Sequence, residues 1–376
     1  MSQLIMFFSF VHALRACRVS LLPVSIAVLA VPQLGFSQQS VAPEQVVGRQ
    51  ACQSCHPSEA AAWEHSSHHK KAWDLLDHPK AAGFAKALGI TNVKGASLCT
   101  QCHGTQQKTG GTLTIAEGNS CESCHGGAGG ADGWLFKHFD FGSGRRPASD
   151  SKIDEFLADR AKETPEHRAA RDAAVKATGM NRSADAFEIA SNCLQCHLVP
   201  NEKLFAAGHP LSSRFEFVEW AQGEVRHNFL LNAKTNAEIP SNWSDRNPAG
   251  TPEGRKRLMF VAGQLADLEV SLRSRAEVTE TKRGSLGDEA NDRILDLQKA
   301  LAEHGIDELK PVLAAIASID KKSLKDVTPG DRATYTKAAA AVSAAAAHFV
   351  TVHQDGSKLP ASMKTPSKAK GDVYQP

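Results

Sequence analysis

Charge of either sign is not in excess in this 376-residue chain, whose 43 basic and 41 acidic side chains leave a formal net charge of +2. That balance argues against a polyanion or an acidic substrate as partner, and no nucleic acid is expected. Long apolar runs are also lacking. The run Leu21 to Val31 falls well short of the roughly 20 residues that span a bilayer, and Arg15 and Arg18 separate it from Leu4–Leu14. Methionine is scarce, with Met180 alone between Cys52 and Met259, and the two tyrosines are Tyr335 and Tyr374. With 41% hydrophobic residues, the chain is too apolar to be disordered, and its length suits two to three domains.

Residues 1–37 hold no acidic residue and pair a basic start with a short apolar run and small polar residues near Ser37 to Ser40, the pattern of a secretory signal peptide. An exported, periplasmic protein with no stable membrane span after cleavage is expected. Cleavage would discard Cys17 together with Arg15 and Arg18, leaving equal numbers of basic and acidic side chains.

The other eight cysteines fall into four copies of one pattern: Cys52 and Cys55 before His56, Cys99 and Cys102 before His103, Cys121 and Cys124 before His125, and Cys193 and Cys196 before His197. Two thiols separated by two residues can bond to the vinyl groups of one porphyrin, and the histidine that follows reaches the iron. Disulfides or zinc would account for the thiols but would leave four identically placed histidines as coincidence. Four covalently bound haem c groups are therefore expected, with His56, His103, His125 and His197 as proximal iron ligands. The stretch from Cys52 to Leu230 provides roughly 45 residues per haem, too few for a conventional side-chain core. Porphyrin faces must supply much of the buried apolar surface, so haem binding contributes folding free energy.

Scarce methionine favours histidine on the second axial position, a coordination that lowers the haem potential. His68, His138 and His209 each follow a proximal histidine by 12 or 13 residues, and His103 has no such follower. His227, after the apolar face of RFEFVEWA, is the fourth candidate distal ligand. His65 and His69 lie in the polar stretch EHSSHHKKAW and read as solvated or packing residues, as does His167 on a charged helix face. His304, His348 and His353 lie beyond the haem segment.

The order CQSCH, Trp63, His68, together with the glycine-bounded CTQCHG and CESCHGGAGG blocks, resembles the tetrahaem cytochrome c-554 family of nitrifying bacteria over about residues 50–230. The resemblance implies periplasmic electron transfer, a mostly helical fold around stacked haem pairs, and three bis-histidine haems beside one with an open distal face. Carried onto matching positions, it makes His68 the distal ligand of the third haem and His138 that of the first, and leaves the haem at His103 five-coordinate. After the fourth motif the chain departs from the family. His209 and His227 are both available, and if both ligate, all four haems are six-coordinate.

The expected fold is mainly α, a multihaem cytochrome c fold with little regular secondary structure around stacked haems and a carboxyl-terminal helical bundle. The expected organisation is a signal peptide (1–37), a haem domain (45–230), a proline- and glycine-rich linker (231–254), a helical bundle (255–353) and a disordered tail (354–376). The bundle reads as structural cover, with docking or dimerisation as the alternative; oligomeric state is not legible. The preferred function is non-catalytic electron transfer between redox proteins serving as donor and acceptor. The alternative is a multihaem oxidoreductase acting on nitric oxide, nitrite or hydroxylamine at an open haem. Against it, no CxxCK motif is present, and neither tyrosine lies in the haem segment.

Overall fold

The computed structural model describes residues 41–130, 133–143, 153–199, 201–211, 215–225, 250–277, 286–324 and 329–371. The signal segment, Cys17, His227 and most of the expected linker lie outside them. The described chain is mainly helical, with one two-stranded sheet.

The haem-motif region is built from short elements. Each cysteine pair lies on a helical turn, where residues three and four apart share a face, so both thiols and the histidine point the same way. Helices Ser97–His103, Cys121–His125 and Ala186–His197 each end on the motif histidine. In the first motif Gln50–Gln53 is helical, and His56 stands at the start of Pro57–Glu64. Strands Thr105–Thr109 and Thr112–Glu117 pair antiparallel about Gly110 and Gly111, whose φ values of 58° and 87° suit the tight hairpin turn that glycine permits. This hairpin delivers the chain from the second motif to the third.

The carboxyl-terminal bundle centres on the helix Pro252–Glu277. Leu258, Met259, Val261, Ala262, Leu265 and Leu268 are among its many buried residues, and they point in every direction around its axis. A helix buried all round is enclosed by its neighbours. It packs against Pro329–Val352, Leu286–Glu303 and Phe217–Gln222, and against Ala186–His197, which carries the fourth motif. Gly263 permits the approach to Phe217, since a Cβ there would meet the phenylalanine Cβ at 2.8 Å. Bundle and haem-motif region therefore share one body from residue 41 onward, with Asp267 ion-paired to Arg293 inside it.

Residues 354–371, within the expected disordered tail, make fixed contacts, and 372–376 lie outside the described residues. Leu359 is buried, Gln222 Nε2 donates to Pro366 O at 3.2 Å, Lys370 N donates to Glu219 O, and Glu224 N donates to Lys370 O. Backbone pairing to Phe217–Gln222 and one buried leucine hold a segment whose lysine, proline and serine content suggests no fixed contacts. Among the described residues, no helix is long and apolar enough to cross a membrane.

Candidate functional site

The four motifs converge through their thiols. Cys52 hydrogen-bonds with Cys121, joining the first motif to the third, and Cys196 with Cys102, joining the fourth to the second. Those bonds, then burial, push both Cys52 and Cys196 upward, and burial raises Cys124 to about 11. None of the eight is in a disulfide.

Three histidine pairs face one another. The ring centroids of His56 and His138 are 6.2 Å apart, those of His68 and His197 5.9 Å, and those of His103 and His209 6.4 Å. Two metal–nitrogen bonds of about 2 Å each, plus the two ring radii, place imidazoles on opposite faces of one iron about 6 Å apart. His138 thus lies opposite the first motif's histidine. His68 faces the fourth motif rather than the third, to which the family resemblance assigns it, and His209 stands opposite His103. His125 Nδ1 donates to Asn181 O at 2.7 Å, and His103 Nδ1 to Ala72 O at 2.8 Å. In each, a carbonyl fixes the tautomer and leaves Nε2 as a ligand.

Burial governs the protonation of these rings. It lowers the pKa of His138 and of His197 to about 3, helped in the first by the charges of His56, Arg171, Arg182 and Arg160 and in the second by His68. Burial likewise lowers His68, His103 and His125, with Glu224 opposing it at His68. Neutral imidazole is the form that binds a metal. Trp220 packs against both His68 and His197, Phe215 stacks on His197, and Phe84 lies beside His209.

The other histidines serve elsewhere. His65 Nδ1 donates to Ala61 O, while His69 stacks on Trp63 and donates to Glu64 O. His167 donates to Glu163, His304 Nε2 bonds Gln264, His353 pairs with Glu308, and His348 is exposed.

Two residues legible only in three dimensions organise the centre. Glu122, inside the third motif and 1% exposed, accepts hydrogen bonds from the backbone N–H groups of Val47, Gly48 and Ala128 at 2.8–3.0 Å. It ties the approach to the first motif to the third; the sole hint in the sequence is a charged residue between the two cysteines. Asn119 accepts from Trp63 Nε1 at its carbonyl, donates its N–H to His68 O and its Nδ2 to Cys102 O. Gly118 beside it is obligatory, because a Cβ would lie 1.7 Å from His69 O. Glu122→Ala leaves three backbone donors without their acceptor and is expected to destabilise the folded protein by about 3 kcal/mol or more, with Glu122→Gln milder. Denaturant titration measures both.

His138 is held from behind by an ion-pair cluster. Arg171 donates to Glu163 at 2.6 and 2.8 Å and reaches His138 O at 3.4 Å. Burial raises the Glu163 pKa, but hydrogen bonds from Arg171 and His167 and the charge of Arg171 outweigh it and bring the carboxyl from 4.5 to about 2. A carboxyl depressed by folding stabilises fully above its unfolded pKa and loses that contribution as pH falls through the folded value. Acid titration followed by circular dichroism should therefore show stability declining from about pH 4.5 toward 2, with less decline in Glu163→Gln.

Between the first and third motifs lies a cavity with about 1500 Å³ of atom-free space, part of it open to solvent, lined by Cys52, Cys55, His56, Cys121, His125 and His138 among others. His68 Nδ1 is buried without a hydrogen-bond partner. Thiol pairs, imidazoles facing each other and a large cavity beside them fit a covalently held porphyrin. Among the described residues, no group of three or more His, Cys, Asp or Glu side chains is arranged to hold a bare metal ion.

Helical motif segments with these thiols and imidazoles are the features of a c-type cytochrome, a class that binds haem c covalently. Residues 51–126, carrying the first three motifs, match the family described as cytochrome c554 and c-prime, so this segment is similar to c554-type cytochromes. Comparison with curated proteins and with solved structures finds no match.

Proposed function

We propose that the protein is an exported, periplasmic tetrahaem cytochrome that passes electrons between redox proteins through closely packed, mostly bis-histidine haems. The haems are attached at Cys52/Cys55, Cys99/Cys102, Cys121/Cys124 and Cys193/Cys196, with His56, His103, His125 and His197 as proximal ligands. His138, His209 and His68 are the distal ligands of the first, second and fourth haems, and His227 is the remaining candidate. Domain roles follow: residues 45–230 carry the haems, and residues 255–353 enclose the fourth motif.

The observation that carries this reading is the facing of three histidine pairs at 5.9–6.4 Å, each containing one motif histidine. Haem c would supply the reversible one-electron chemistry, and the chain's own residues would attach it and provide the axial ligands. The nearness of the first motif to the third and of the fourth to the second favours haem edges close enough for electrons to move along the chain. An oxidoreductase acting on a small nitrogen compound at His103 requires a vacant distal face, and His209 stands there. Electron paramagnetic resonance of the oxidised protein tests the reading. Low-spin ferric signals should dominate, whereas a predominantly high-spin spectrum would defeat the bis-histidine assignment.

A further inference from the structure

Two guanidinium groups border the cavity between the first and third motifs, and neither is needed for haem attachment or axial ligation. Arg255, near the start of Pro252–Glu277, is 2% exposed and donates to Ser183 O at 2.7 Å and Ala184 O at 3.4 Å. Arg182 pairs with Asp172 at 2.6 Å. Both line the cavity with Cys52, His56 and His138. Burial lowers the Arg255 pKa to about 10, against the opposing charge of Asp185, so it remains a cation at neutral pH. Asp185 is also shared with Lys176, 3.5 Å away.

A desolvated cation needs a compensating anion or strongly oriented dipoles. The two carbonyls supply dipoles. A haem bonded through its vinyl groups to Cys52 and Cys55 carries two carboxylates elsewhere on its rim, and a guanidinium fork matches a carboxylate in two-point hydrogen bonding. The acidic residues lining the same cavity, Glu59 and Glu224, would repel those carboxylates and direct them toward the arginines.

We propose that Arg255 and Arg182 bind the propionates of the haem attached at Cys52 and Cys55, so that the carboxyl-terminal bundle reaches into the haem core and tunes one iron. This rests on the haem attachment proposed above and assigns to Arg255, far outside the family-matched segment, a role beyond covering the core. A cation beside an ionised propionate offsets the negative charge that otherwise favours ferric iron, so its removal lowers the potential.

The test uses holoprotein labelled with ¹³C at the propionate carboxyls through the haem precursor, followed by redox-difference infrared spectroscopy and redox titration. R255Q should shift the labelled carboxylate bands and reduce the reduction equilibrium constant of one haem about tenfold, about 59 mV for one electron. R182Q should act in the same direction. R255K keeps the charge but loses the fork, so the bands should move while the potential changes little. If R255Q does not fold, R182Q and R255K decide: bands unchanged in both, in protein retaining all its haem, overturn the proposal. Peptide mass spectrometry of the unaltered protein distinguishes the other failure, since haem absent from Cys52 and Cys55 would defeat the attachment itself.

Discussion

His68→Ala and His138→Ala each convert one low-spin haem to high spin without loss of covalent haem. Each ring stands opposite a motif histidine at the spacing of two imidazoles on one iron, and burial keeps each neutral. Removing one leaves an iron with a single strong axial ligand and an apolar gap behind it, because Trp220 packs on His68 and Trp134 on His138. The thioether bonds are untouched, so pyridine haemochrome absorbance should give the same haem content as the unaltered protein. The expected ultraviolet–visible change is the rise of a high-spin charge-transfer band, with about one haem in four affected in either variant. An unchanged low-spin spectrum in His68→Ala would remove that residue from the ligand set. His209→Ala provides the matching result at the second haem, where the family resemblance implies an open face and the structure sets an imidazole.

Protein expressed without haem attachment should lose most of its tertiary structure across residues 45–225. The motif region has short helices and one small hairpin, and roughly 45 residues per haem cannot enclose a conventional core. A ligand that binds only the folded chain contributes its binding free energy to folding, and the haems proposed at the four motifs would contribute together. The bundle core, with Leu258, Leu265, Leu268, Ile294, Val342 and Phe349 buried, does not depend on porphyrin. Apoprotein should thus keep part of its helical circular dichroism from residues 252–352, while hydrogen exchange becomes fast in the motif region. Uniform slow exchange over both regions would show that the side chains suffice.

How much of this was readable from the sequence depends on the range of the interaction. The four CxxCH motifs are legible because each is confined to five consecutive residues. Helical turns under those motifs and the bundle helices are legible for the same reason, since their signals repeat every three or four residues. The spacing singles out His68, His138 and His209, yet which motif histidine each faces depends on packing between segments far apart in the chain. His68 meets His197, and His103 meets His209, only because the motif helices are brought together by contacts such as Asn119 with Trp63, His68 and Cys102. Glu122 reads as a solvated charge until three backbone N–H groups are seen around it. The chain end misleads in the opposite sense: its composition signals disorder, but composition does not register that Lys370 meets the backbone at Glu219 and Glu224.

Peptide mass spectrometry of the purified, oxidised holoprotein tests the central claim most directly. Four haem-bearing peptides are expected, one each for Cys52/Cys55, Cys99/Cys102, Cys121/Cys124 and Cys193/Cys196, with no free thiol among those eight cysteines. A motif peptide recovered with two unmodified thiols, or joined by a disulfide, would contradict the tetrahaem account.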